Sequence, residues 1–316
     1  PSERISSELV NGYRRNTHQH MVTILNLGIG LGDTLADGIV ERCAATGAVG
    51  FPVQILGLRC GLVVVVPGSV ATIEGEQGDA SNYSASGDKI TLSLPESQMR
   101  LMAALEKTGR PMVTVLSAGS SMNVPEGNAE ILAWYAGQAG GTALAKILFG
   151  EISPSGKLPV TFYEKVEDLP DFTDYSMKNR TYRYFTGKPL YPFGYGLSYS
   201  SFAIEKVEAG KEQTKVWVRN IGKMDAETVV EIYAQTNDPD TAVHPHLCAF
   251  GRTSLKAGEE KELVLERDAK ALAVVDQDGV RRQVGGTWDL YVGFSQPDER
   301  SVELTGTTPV HVTLTV

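Results

Sequence analysis

Cysteine is scarce in this chain. The three residues present, Cys43, Cys60 and Cys248, cannot all pair with one another, so a disulfide framework is excluded. We read them as reduced thiols, two of them in apolar surroundings; a Cys43–Cys60 bridge is the alternative, and redox compartment stays open. Histidine numbers only five. His244 and His246 flank a proline and His18 lies near His20, but neither pair has cysteine or carboxylate partners at ligand spacing. No metal and no cofactor are expected. Positive charge is also in deficit: 29 Lys and Arg face 38 Asp and Glu, giving a net charge of -9. Phosphate-rich partners require a basic surface, so neither nucleic acid nor an anionic membrane is expected as a partner. No run approaches the roughly 18 apolar residues that cross a bilayer. Residues 1–20 are polar and lack a signal-peptide core. Targeting is then absent, or removed ahead of residue 1, and secreted, periplasmic and cytoplasmic locations all stay open.

A nucleotide-binding fingerprint is missing as well. Gly28, Gly30 and Gly32, followed by Asp33, give Gly-x-Gly-x-Gly where a dinucleotide turn needs Gly-x-Gly-x-x-Gly, and no acidic partner follows on a second strand. A tight turn is the plainer reading.

What is present is a core-forming composition, 42% apolar and 21% charged, at a length that suits about two domains. Residues 21–27 (MVTILNL), 62–66 (LVVVV) and 112–116 (MVTVL) are short continuous apolar runs, the pattern of strands buried on both faces. Between them, residues 96–107 (ESQMRLMAALEK) have helical spacing and are followed by Gly109 as a stop; residues 140–149 (GGTALAKILF) form a second helix ended by Gly150. Strand and helix in alternation predict an α/β sandwich with a mostly parallel sheet. Beyond residue 202 the pattern changes. Residues 215–219, 228–235, 260–266, 287–294 and 310–316 are strand-length, with turns at 220–223, 256–259 and 276–279. They predict an all-β, immunoglobulin-like sandwich of about 110 residues. The boundaries are 1–165 for the α/β domain, 166–201 for a connecting strap and 202–316 for the β-sandwich. The strap holds six of the twelve tyrosines (Tyr175, Tyr182, Tyr184, Tyr191, Tyr195 and Tyr199), which predicts an ordered segment packed on its neighbours.

Two long motifs carry a family resemblance. Residues 134–162 (WYAGQAGGTALAKILFGEISPSGKLPVTF) and 174–202 (DYSMKNRTYRYFTGKPLYPFGYGLSYSSF) closely resemble signatures of family 3 glycoside hydrolases. The resemblance covers residues 62–202, continues to about 294, and is poor over the first sixty residues. It implies that the β-sandwich is fibronectin type III-like. It also implies a retaining β-glucosidase or β-xylosidase chemistry, in which one carboxylate attacks the sugar and a second carboxyl protonates the leaving oxygen. In the family the second group is a glutamate on a loop following a buried strand of the sandwich domain. Here the strand at 62–66 leads into Ile73-Glu74-Gly75-Glu76, which resembles that loop. Glu74 is the candidate acid/base and Glu76 the second choice. The bland alternative is a solvated acidic loop; Asp79 and Asp88 are read as loop-shaping residues.

The family's nucleophile is an aspartate near a Ser-Asp-Trp motif on a TIM barrel, and that motif does not occur in these 316 residues. Asp289 follows Trp288 in the reverse order and lies on a predicted sandwich strand. The resemblance therefore implies two partners: a β-linked oligosaccharide or glycoside, and a barrel domain or chain that supplies the nucleophile. A homo-oligomer is compatible with this reading. The rival readings are a non-catalytic accessory or carbohydrate-binding protein derived from such an enzyme, and a nucleotide binder resting on the glycine turn alone. Trp134, Trp217 and Trp288 are read as core. Arg180 and Arg183 either line a sugar subsite or pair with carboxylates at the domain boundary.

Overall fold

The computed structural model describes residues 22–24, 54–56, 63–68, 89–125 and 127–316, and the structural statements below concern these. They fall into two compact units. The first holds the described residues up to 68 together with 94–119 and 124–152; the second holds 89–93, 120–123 and 153–316.

The first unit is built on a five-stranded sheet. Its strands are β1 (Val22–Ile24), β2 (Gln54–Leu56), β3 (Val63–Val66), β4 (Met112–Leu116) and β5 (Ala129–Leu132), in the order β1-β5-β4-β3-β2. Four run parallel; β2 pairs antiparallel with β3. Val65 and Leu116 have no solvent exposure, as expected where helices cover a parallel sheet. Helix α1 (Glu96–Glu106) makes the crossover from β3 to β4 and buries Gln98, Met102 and Leu105, spaced at i, i+4 and i+7. Gly109 then ends the segment at φ 65°, a left-handed conformation that costs glycine little. Helix α2 (Gly140–Leu148) stops in the same way at Gly150. The α/β architecture matches the expectation; strands β2 and β5 are additions to it.

The second unit contains a β-sandwich. One sheet has three strands in the order β10-β7-β6: β6 (Phe202–Ala209), β7 (Gln213–Asn220) and β10 (Glu260–Glu266). The other has four in the order β14-β13-β8-β9: β8 (Ala226–Thr236), β9 (His246–Leu255), β13 (Thr287–Gly293) and β14 (Val310–Thr315). A small hairpin, β11 (Ala273–Val275) with β12 (Arg281–Gln283), completes the strands. Alternation of side chains places Val216 and Val218 of β7, Val230 and Ile232 of β8, and Trp288 and Leu290 of β13 in one apolar core. Two helices accompany the strands: α3 (Thr181–Tyr184) in the strap and α4 (Glu299–Thr305), which Asp298 caps and Gly306 ends.

The strap is ordered, as its tyrosines predicted. Tyr195 is fully buried and stacks on Tyr191 with ring centroids 5.7 Å apart. The Tyr182 ring stacks on Phe193 at 4.2 Å, and its hydroxyl accepts from the Leu247 amide of β9 at 2.9 Å. Tyr175 departs from the expectation. It is 90% exposed, and Phe172 beside it is 84% exposed. The reason is local: Asp171 and Asp174 each accept from the backbone two residues on, and Arg180 donates to the carbonyls of Asp171, Asp174 and Ser176. Polar turn bonds hold this stretch without help from its rings. The tryptophans also divide. Trp288 is core, with its indole N–H donating to the Val284 carbonyl at 3.0 Å. Trp217 points to the outer face of its sheet, where the Lys206 ammonium lies 4.6 Å from the ring. Trp134 is half-buried at φ 51°.

Candidate functional site

Glu74 and Glu76, the sequence-derived candidates, lie outside the described residues, as do Asp79, Asp88, the glycine turn at 28–33, Cys43, Cys60, His18 and His20. What is described is the place from which the Glu74 segment departs. Strands β3, β4 and β5 are parallel, so the residues following them share one edge of the sheet. Ligands of open α/β sheets bind outside this carboxyl edge. Here the ladder extends past β3: Gly68 bridges Ser117 in parallel, and the Ser117 amide donates to the Pro67 carbonyl at 3.0 Å. Beyond β4, Ser117 Oγ donates to the Trp134 carbonyl at 3.0 Å, and the Ala133 amide donates to the Leu116 carbonyl at 2.8 Å. The positive φ of Trp134 therefore sits in a region tied down from two sides, the circumstance in which such strain persists.

Gly68 is required where it stands. A Cβ there would overlap the Ser117 carbonyl oxygen, which is backbone and cannot swing away. Gly68→Ala is expected to destabilise the first unit by roughly 1–3 kcal/mol, read as a lowered unfolding midpoint in urea. An unchanged midpoint would mean that the contact relaxes at no cost.

The second unit carries ionisable groups that the sequence reading overlooked. Glu231 and Tyr233 lie two apart on β8, so they share the face opposite the core residues Val230 and Ile232. Glu231 is only 4% exposed, and its Oε2 accepts from the Tyr233 hydroxyl at 2.8 Å. Gly194 of the strap closes over them: a Cβ at Gly194 would collide with both the Glu231 carboxylate and the Tyr233 hydroxyl. Lys157 runs in from a half-buried stem, and its ammonium donates to the Gly196 carbonyl at 2.8 Å. Burial pushes the Glu231 carboxyl up to about 7, against the attraction of Lys157 and the Tyr233 hydrogen bond. Burial likewise lowers the Lys157 ammonium to about 8, against the attraction of Glu231. Burial raises the Tyr233 hydroxyl far above its ordinary value, with the Glu231 charge adding to it. The sequence held no signal for them, because alternation along β8 assigns Glu231 and Tyr233 to the face away from the core.

The remaining candidates resolve into structure. Arg180 serves backbone carbonyls and makes no carboxylate ion pair among the described residues. The Arg183 guanidinium lies over the Tyr184 ring at 5.7 Å. His244 and His246 bond through Nε2 to the carbonyls of Phe185 and Ala271, at 2.8 and 2.7 Å. Among the described residues no group of three His, Cys, Asp or Glu is gathered for a metal ion, and no helix is long and apolar enough to span a membrane. Asp289 Oδ1 lies 2.8 Å from His311 Nε2 on the outer face of the sandwich. Cys248 is a free, buried thiol that burial pushes up to about 12, consistent with an unreactive core residue.

Comparison with known proteins joins these parts. Residues 59–199 match the glycosyl hydrolase family 3 C-terminal domain, and residues 228–296 match the fibronectin type III-like domain. A xylan 1,4-β-xylosidase of Xylanibacter ruminicola is 36% identical over 256 residues, covering 77% of this chain and 30% of the relative. A periplasmic β-glucosidase of Salmonella typhimurium is 33% identical over 250 residues, covering 71% of this chain and 32% of the relative. The crystal structure of a family 3 β-glucosidase from Bifidobacterium adolescentis superposes with a TM-score of 0.64 at 29% identity, covering 80% of this chain and 39% of that one. The chain thus spans about a third of the length of the curated relatives it matches. It belongs to glycoside hydrolase family 3, of which it carries the C-terminal α/β domain followed by a fibronectin type III-like domain.

Proposed function

We propose that this chain contributes the general acid/base to a retaining β-glycosidase, a β-glucosidase or β-xylosidase that removes terminal β-linked sugars from oligosaccharides. Glu74 is assigned as the acid/base, with Glu76 as the second choice. The observation that carries the reading is positional: the Glu74 segment begins immediately after Gly68, at the carboxyl edge of the parallel sheet. Curated relatives that include both a β-xylosidase and a β-glucosidase support the reaction class. The domain limits we assign are 1–165, 166–201 and 202–316.

In this mechanism a carboxylate of the barrel, on a domain or chain outside these residues, attacks the anomeric carbon. The bond from that carbon to the leaving oxygen breaks, and Glu74 gives its proton to that oxygen. Water then attacks the glycosyl–enzyme ester while the Glu74 carboxylate takes its proton, which regenerates both groups. The two carboxyls need to lie about 5–5.5 Å apart. Two glutamates two residues apart hinder each other's ionisation, which favours a protonated acid near neutral pH.

The test combines the purified chain with a purified family 3 barrel domain and aryl β-glucoside or β-xyloside. Hydrolysis is expected only when both are present. Hydrolysis by the chain alone would contradict the assignment of the nucleophile, and none with either substrate would contradict the reading as a whole.

A further inference from the structure

Phe172 and Tyr175 are the most exposed large apolar side chains among the described residues, at 84% and 90%. Leu169 and Met177, on either side of them, are exposed as well. The loop that displays these rings is fixed. Asn179 closes it: its Nδ2 donates to the Asp168 carbonyl at 3.3 Å, and its Oδ1 accepts from the Thr186 amide at 3.0 Å. Arg180 bonds to three carbonyls inside the closed loop. The backbone is held there against its own preference. Asn179 has φ 57°, tolerable for asparagine, but Thr181 has φ 55°, which a β-branched residue rarely adopts. Such a conformation persists only where the surroundings over-determine it, and it gathers at functional sites.

The same loop carries a cation without a counter-charge. Arg183 is half-buried, and its Nε is enclosed by protein with no hydrogen-bond acceptor. Among the described residues no carboxylate pairs with its guanidinium; its neighbours are the Tyr184 ring and, by their charge interactions, Tyr182 and His246. An arginine in this state offers its planar fork to a carboxylate brought from elsewhere.

We propose that residues 168–186 form the docking surface for the catalytic barrel domain, with Phe172 and Tyr175 entering apolar hollows of the barrel and Arg183 pairing with one of its carboxylates. Two observations choose this occupant. The region matched by this chain is 30%, 32% and 39% of three relatives, so most of each relative remains to cover the strap. A second copy of this chain carries the same net charge of -9 and is repelled. A loop already fixed loses little freedom on docking, so most of the gain from burying its rings appears as affinity. The inference rests on the reading that a barrel joins this chain, and not on the choice of Glu74 as acid/base.

The test is calorimetric titration of the whole chain with the purified family 3 barrel domain. Phe172→Ser combined with Tyr175→Ser is expected to raise Kd about 100-fold, and Arg183→Gln about 10-fold. The ring variant should keep the wild-type urea midpoint, because the turn bonds do not involve the rings. Added salt should weaken wild-type binding more steeply than binding by Arg183→Gln, a difference that a merely structural arginine would not produce. Hydrogen exchange decides without any variant: amides of residues 171–176 should gain protection when the barrel is added. An unchanged Kd in the ring variant, or no protection of the strap on binding, overturns this inference, while hydrolysis by the mixture leaves the proposed function standing. Sedimentation of the chain alone as a dimer, with the ring variant a monomer, would give the surface to a second copy and overturn it too. If chain and barrel neither bind nor hydrolyse, the proposed function falls and this inference falls with it.

Discussion

Raising the pH from 5 to 7 is expected to cost the wild-type second unit about 2 kcal/mol of stability through one residue, Glu231, and to cost the Glu231→Gln variant far less. The carboxyl titrates near its ordinary 4.5 in the unfolded chain and at about 7 in the fold, because burial disfavours its charge. A folded-state value raised above the unfolded one means that the fold binds the proton more tightly. The contribution is therefore fully present below about pH 4.5 and is lost as pH rises through about 7. Lys157 has the opposite slope. Its folded value, lowered to about 8, leaves a penalty on the charged form that is relieved as pH rises from about 8 towards 10.5. The pair should thus contribute least between pH 7 and 8, where both groups are charged and enclosed.

The variant isolates this effect because glutamine can still accept from the Tyr233 hydroxyl. It also removes the attraction that holds the proton on Lys157, so the alkaline gain should begin at lower pH than in wild type. The other titratable groups around the site are Tyr182, which feels the Glu231 charge, and Asp298, whose charge acts on Tyr233; both also have values raised by burial. Urea unfolding of wild type and variant at pH 5, 6, 7 and 8 reads the difference. Parallel pH profiles would show that the Glu231 carboxyl is solvated or already ionised at pH 5.

This cluster was not legible beforehand, for a physical reason. Alternation along β8 marks Val230, Ile232 and Ala234 as inward, which makes Glu231 and Tyr233 read as solvent-facing; Gly194 of the strap, 37 residues before Glu231 in sequence, closes over them. The same limit applies to Gln98, whose partner Gly68 lies thirty residues away. Elements set by local period were readable. Residues 112–116 and 140–149 form β4 and α2 with nearly the expected ends, and Gly258 and Gly279 take the positive φ that their turns need. Strand β9 was hidden because Gly251 interrupts it and its register with β8 shifts between Ile232 and Tyr233. Helix α4 was missed although Asp298 and Gly306 are a readable start and stop around it. The candidate acid/base came from neither period nor charge. Glu74 and Glu76 stand out only through the family resemblance of the segment around them, since a Gly-flanked acidic stretch is by itself an ordinary solvated loop.

Replacing Glu74 is expected to have the largest effect of any substitution in the chain. Glutamine cannot protonate a leaving oxygen or take a proton from water, so both halves of the double displacement slow. General acid–base catalysis contributes about 10²–10⁴-fold, and a loss of that size is expected on glycosides with poor leaving groups. On an activated aryl glycoside the first half proceeds without the acid, and the glycosyl–enzyme ester then waits for a water that lacks its base. Azide needs no base. It should attack the ester at the anomeric carbon, displace the nucleophilic carboxylate and release a β-glycosyl azide, the retained product of two inversions.

The measurement that bears most directly on the acid/base role proposed for Glu74 is therefore azide rescue of Glu74→Gln in the presence of the barrel partner. The account predicts slow turnover of 2,4-dinitrophenyl β-glycoside, accelerated by azide, with β-glycosyl azide as the product. The same behaviour in Glu76→Gln, with Glu74→Gln unchanged, would move the role to Glu76. Unchanged turnover and no azide product in both variants would contradict the account.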